Sequence, residues 1–188
     1  MDSIVLYSDQ TRTVRDVIAR DGVCFSKREY VQKKYQESAP VFLHNYNWFV
    51  SRAAQRVPLP AGAEFPYWAF RDLYRIEGHR QLEALKLEVP ADCAVFFDAD
   101  DWTKIMKFAY IGADEKEERA FAEELQARGL NTYTVMTGSF YPEYRNAILQ
   151  SWERLFDHHE QIKAGDFGCV RSVQAALWCI KQEWIRER

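Results

Sequence analysis

A chain of 188 residues, 47% apolar and 15% aromatic, is long enough for one domain with a sizeable core. Its net charge of −3 and isoelectric point near 5.9 exclude binding to nucleic acid by bulk phosphate neutralisation. The sequence also lacks an apolar run of about 18 residues for a membrane span, a signal-peptide core, and any C-x-x-C pair among its four cysteines. A cytoplasmic protein with reduced thiols is the expectation.

Ile4-Val5-Leu6-Tyr7 reads as a strand over 3–7. Thr11 or Thr13 then caps a helix with Val14, Val17 and Ile18 at helical spacing, and Gly22 ends it. Ser26 and Glu29 form a capping-box pattern for the next helix. Pro40 opens another, with Phe42, Asn45, Trp48, Phe49 and Arg52 on a broad stripe. The loop from Arg56 to Gly62 leads into an aromatic strand over 65–70. Two readings stand for Tyr67 and Trp68: core packing, or a stacking wall for a planar ligand. Arg75, His79 and Arg80 make the densest basic cluster, suited to a phosphate or to a solvated loop.

Leu85, Leu87 and Val89 alternate with Lys86 and Glu88, giving a strand over 84–89. A second strand over 93–98 follows Pro90 and a short polar turn. A connection this short predicts antiparallel pairing of the two as a hairpin. Asp98, Asp100 and Asp101 close the run. Either Asp100 or Asp101 caps a helix from Trp102 to about Tyr110, or one of the carboxylates acts on a ligand, with a pKa raised by its neighbours. An acidic outer helix spans 114–128, stopped by Gly129. Thr132 to Phe140 reads as a strand. Pro142 starts a helix carrying Ile148, Trp152, Leu155 and Phe156, with His158 and His159 near its end to complement the dipole. A last helix runs from about Ser172 to Glu187, with Val173, Leu177, Ile180 and Trp184 buried. Gln174 and Trp178 lie on its flank, where they border a cleft.

Several pieces in order resemble one bacterial family. They are L-Y-S-D-Q-T, P-Y-W-A-F, E-V-P-x-D before D-A-D-D-W, S-W-E-R-L-F-D, and Q-A-A-L-W-C-I-K-Q-E-W-I. They look like the family known as domain of unknown function 3841, over nearly the whole chain. The family's usual tryptophan is replaced by Tyr7, and its usual serine-aspartate by Phe97-Asp98. The resemblance brings no activity with it. It implies Gln10, Trp68, Asp98, Trp102, Ser151, Trp152, Gln174 and Trp178 as positions to watch. A fainter similarity, to ADP-ribosyltransferase-like domains, implies a split antiparallel sheet around a NAD cleft. Ser8-Asp9-Gln10 stands where the Arg or His of those domains is expected.

The sequence thus predicts a single α+β domain over 1–188, a small, mainly antiparallel sheet covered by helices. Two functional readings follow. In the first, a nucleotide-directed enzyme or NAD-binding domain, Tyr67 or Trp68 stacks on a base and Arg71 or Arg80 holds phosphate. Gln10 then bonds a ribose or base edge, and Asp98 or Asp101 serves as base. Trp102, Gln174 and Trp178 complete the candidate wall. In the second, a protein-interaction module, the aromatics are core and the acidic helix faces a partner protein. No metal site is expected. G-x-S-x-G, P-loop and G-x-G-x-x-G motifs are absent.

Overall fold

Alternation sets the first element. In β1 (Ser3–Ser8), Ile4, Leu6 and Ser8 are buried and Val5 is exposed, the period of a strand with one face inward. The computed structural model describes residues 1–36, 39–76 and 83–187. Thr11 caps α1 (Arg12–Asp21), its hydroxyl accepting from the Val14 amide, and Gly22 closes it with φ of 78°. A left-handed residue there ends the helix at no steric cost only if it is glycine. β2 (Val23–Phe25), α2 (Arg28–Tyr35), α3 (Ala39–Ala53) and β3 (Tyr67–Phe70) follow. Ser26 does not cap α2: Lys27 holds that place without a side-chain bond.

β4 (Leu85–Pro90), β5 (Ala94–Asp98) and α4 (Ala99–Met106) come next. The helical layer continues with α5 (Glu115–Ala127), α6 (Thr132–Thr137), α7 (Pro142–Ser151) and α8 (His159–Lys163). The chain closes with β6 (Val173–Leu177), β7 (Cys179–Lys181) and β8 (Ile185–Arg186). The main sheet has the order β5-β6-β3-β1-β4-β8, and β2 pairs with β7 separately. Every ladder is antiparallel. The α+β architecture with helices over an antiparallel sheet is the expected one.

Three expectations of element or pairing fail. The stretch from Thr132 is helix α6, because Asn131 caps it through a bond from the Thr134 amide. The last helix is absent: β6, β7 and β8 occupy its place. All of Val173–Leu177 is buried, because β6 lies between β3 and β5 with both faces covered. A strand buried on both faces reads as an unbroken apolar run, so its period of two disappears. The third failure is the hairpin. β4 pairs with β1 and β8, and β5 pairs with β6.

That connectivity bends the sheet. β4 and β5 are four strand intervals apart, roughly 19 Å in a flat sheet. The four residue steps from Pro90 to Ala94 reach at most about 14 Å. The sheet therefore cannot be flat. Among the described residues, β1 and β3 share one register pair, Tyr7 with Phe70. There the β8-β4-β1 half turns away from the β3-β6-β5 half. Ser8 reinforces this seam, its hydroxyl donating to the Trp68 carbonyl at 2.6 Å.

Two apolar clusters cover the two faces. One joins Phe49, Phe97, Trp102 and Trp152; the other joins Leu6, Ile18, Leu87 and Phe96. His159 is buried rather than set at a helix C-terminus. It opens α8, and its Nδ1 accepts the Phe96 amide of edge strand β5 at 3.0 Å. Burial pushes the imidazole pKa down, which preserves the neutral acceptor. The bond blunts a strand edge that would otherwise be open.

Candidate functional site

Register places a mixed row on one face of the sheet. Phe70 opposes both Tyr7 and Gln174, and Gln174 opposes Phe97. Partners in antiparallel register share a face, so the row reads Tyr7, Phe70, Gln174, Phe97. Gln174 is 3% exposed, and its side-chain amide makes no hydrogen bond to a described residue; two residues before it, the Ser172 hydroxyl is buried without a partner. Tyr7 and Phe70 are half-buried and belong to neither apolar cluster.

One step further along the same strands lie Arg71, Val173 and Asp98. The Arg71 amide donates to the Val173 carbonyl, and Asp98 stands opposite Val173. Asp98, not Asp100 or Asp101, caps α4. Its Oδ1 accepts from the Asp100 amide at 3.0 Å and its Oδ2 from the Arg171 amide at 2.9 Å. Both oxygens are therefore engaged in fixing backbone. Asp100 meets Arg75 at 3.3 Å.

Asp101 points to a cleft of about 300 Å³ shared by Asp98, Asp100, Lys104, Glu118, Arg154 and Arg171. Lys104 bridges Asp101 at 3.1 Å and Glu118 at 2.6 Å. Burial raises the Asp101 pKa, and the charges of Asp98 and Glu118 add to the effect, against the pull of Lys104. Gly112 forms part of the wall because nothing larger fits: a Cβ there would lie 2.8 Å from the Asp114 carbonyl oxygen and 2.9 Å from the Glu118 amide. Among the described residues, no group of three or more His, Cys, Asp or Glu is arranged to hold a metal ion.

Residues 5–186 match a family model, nearly the whole chain. The chain belongs to the family described as Domain of unknown function (DUF3841). No curated protein and no solved structure matches it. No helix among the described residues is long and apolar enough to cross a membrane.

In this DUF3841 chain the sequence candidates separate into groups. Gln174 shares a sheet face with Phe97, while Arg71 and Asp98, one residue further along, stand on the other face with Val173; Asp98 and Asp101 line the cleft. Gln10 does not join them. Its Nε2 donates to Ser8 at 2.8 Å, at the seam on β1, two strand intervals from Gln174 on β6 or about 10 Å in the flat limit. Trp68 is engaged in packing, its indole N–H on the Tyr46 hydroxyl and its ring against Phe49 and Trp102. Trp102 is buried in the same cluster. Tyr67 faces the opposite cluster with its hydroxyl 3.1 Å from Cys24 Sγ. Trp178 is buried and donates to the Val57 carbonyl. Ser151 accepts the Ile111 amide and Trp152 donates to the Ala109 carbonyl, both structural bonds. Arg71 pairs with Asp72 and covers the Phe167 ring. Arg80 and His79 lie outside the described residues. Sequence reading missed Phe70 beside Gln174, Tyr7 beyond it in the same row, and Arg171 beside Asp98. Only the register of β6 brings them together, and that strand was read as a helix.

Proposed function

We propose that this domain binds a small nucleotide-like ligand, with NAD the first candidate, at the sheet end around Gln174. The observation that carries the reading is the buried Ser172 hydroxyl, which has no hydrogen-bond partner and lies two residues before Gln174. Leaving such a hydroxyl unpaired costs about 1–3 kcal/mol, and the primary amide of Gln174 beyond it offers a donor and an acceptor side by side. The edge of a nucleobase, or the carboxamide of nicotinamide, presents the complementary pair. Tyr7 and Phe70 in the same row supply ring faces for a planar group. Arg75 beside Asp100 and Arg171 beside Asp98, at the same end of the sheet, supply cations for phosphate. Asp101, whose pKa burial raises against the pull of Lys104, is the carboxylate facing the cleft that would serve as base. Asp98 holds the α4 start in place.

Thermal shift and calorimetry against NAD, ATP, GTP and their nucleosides test this directly. A ligand at about a hundred times its dissociation constant adds roughly 2.7 kcal/mol. No shift with any member of the panel overturns the nucleotide reading. A second reading, a protein-interaction module, is favoured by the exposed aromatics Tyr133 and Phe140.

A further inference from the structure

A bulky residue takes a left-handed backbone beside the cleft. Phe108 has φ of 58°, a conformation in which a Cβ crowds the following carbonyl oxygen. It stands just past the end of α4. The Phe108 amide donates to the Ile105 carbonyl and the Ala109 amide to the Lys104 carbonyl. That pair of bonds closes a helix around a left-handed residue, which is ordinarily glycine. A phenylalanine persists there only where its surroundings hold it. Phe108 is 3% exposed. Its ring stacks on Trp152, meets His44 edge-on and touches the Tyr133 ring.

The reversal at Phe108 sends the chain back along the cleft, where Ile111, Gly112, Ala113 and Asp114 form a wall. Trp152 holds the Ala109 carbonyl and Ser151 the Ile111 amide. The Gly112 amide donates to Glu118 Oε1 at 3.2 Å, the same oxygen that takes the Lys104 ammonium at 2.6 Å. Lys104 in turn bridges Asp101. A continuous chain of contacts thus runs from Phe108 through the wall, Glu118 and Lys104 to Asp101.

We infer that Phe108 is a positioning residue of the cleft: its ring, held against Trp152, pins the left-handed turn that carries residues 111–114 to the wall and keeps Asp101 out of water. The inference rests on the reading of this cleft as part of a binding site with Asp101 as base.

NMR of the free full chain tests it without any ligand, so its outcome is separate from that of the nucleotide panel. Phe108→Ala and Phe108→Gly both remove the ring, but only glycine keeps the left-handed turn without strain. For a residue that merely fills the core, glycine, smaller and more flexible, is the worse of the two. For a positioning turn the order reverses, and Phe108→Gly should melt above Phe108→Ala. The Gly112 amide should exchange about fivefold or more faster in the alanine variant than in the glycine variant, the factor one strained residue supplies. Burial raises the Asp101 carboxyl in the parent. Loosening the wall hydrates it, while the bridge from Lys104 persists within α4. The Asp101 titration midpoint should therefore fall in the alanine variant, with the glycine variant between it and the parent. Phe108→Leu, which keeps apolar bulk on the same strained backbone, carries the titration and exchange readouts if the alanine variant does not fold. An Asp101 midpoint and a Gly112 exchange rate both equal to the parent's in a folded variant overturn the inference. So does an alanine variant that melts at or above the glycine variant.

Discussion

Replacing Gln174 by methionine separates a ligand-binding amide from a structural one. The two side chains are similar in length and volume, so the substitution leaves no cavity to compare with a large-to-small change. The neighbours across β6 are the apolar Phe70 and Phe97, against which a thioether packs well. What disappears is an amide that makes no hydrogen bond to a described residue. With no internal bond lost and the packing kept, the free protein should change in stability by less than about 1 kcal/mol. For a domain near this size each kcal/mol moves Tm by about 2–4 °C, so a shift under roughly 4 °C is expected by calorimetry. Affinity for the nucleotide that shifts the parent should fall at the same time, by about tenfold or more, because two hydrogen bonds to the ligand are lost. A Tm that falls by much more than this would refute the reasoning, since it would assign the amide an internal role. Undiminished nucleotide binding in the folded variant would sink the site assignment.

Three further outcomes follow from the same geometry. Asp98→Ala removes the α4 cap and the bond from the Arg171 amide, and should cost about 1–3 kcal/mol in urea denaturation; Asp98→Asn should cost less, and a loss under about 0.5 kcal/mol from the alanine change would contradict the capping role. Ser8→Ala strips the side-chain bond at the β1–β3 seam and should cost about 1–3 kcal/mol, with faster amide exchange in β3 than in β4 as the local signature. For His159 the folded pKa is depressed by burial, so the neutral ring's contribution is fully present above its unfolded value near 6.5 and is lost as pH falls through the folded pKa. The parent should therefore lose stability faster than His159→Asn below about pH 6.5, by up to about 1.4 kcal/mol per pH unit, and parallel profiles for the two proteins would discard that account.

Local chemistry made much of this fold readable. The Thr11 cap, the Gly22 stop and the alternation of β1 and β4 are signals carried by neighbouring residues. So are the acidic helix α5 and the proline that opens α7. What stayed hidden depends on partners distant in sequence. Ala175 to Ile180 reads as one apolar run because β3 and β5 flank β6 and both its faces are covered, and no local period survives there. The 84–98 stretch has every hairpin signal, but β1 and β6 are better partners for its two strands and the seam lets the chain cross between them. The same gap explains the site. Asp98 and Asp101 were visible as a cluster, and Gln174 through the family pattern, but their neighbours come from three strands whose order no short window contains. Trp68, Trp102 and Trp178 stood out by composition, and the structure gives each a packing role.

The position of β6 has a consequence for how the protein is made. β3 and β5 both take their ladder partner from Val173–Leu177, which follows them in the chain after the whole helical layer. While a ribosome is still extending the chain, those two apolar strands wait with unsatisfied edges until β6 emerges. The β8-β4-β1 half waits likewise for β8, although β1 and β4 can pair earlier. Assembly is thus dominated by contacts remote in sequence, which slows folding and lengthens the exposure of aggregation-prone edges. Translation that stalls before β6, or truncation ahead of residue 173, should leave material for chaperones and proteases rather than a smaller working domain.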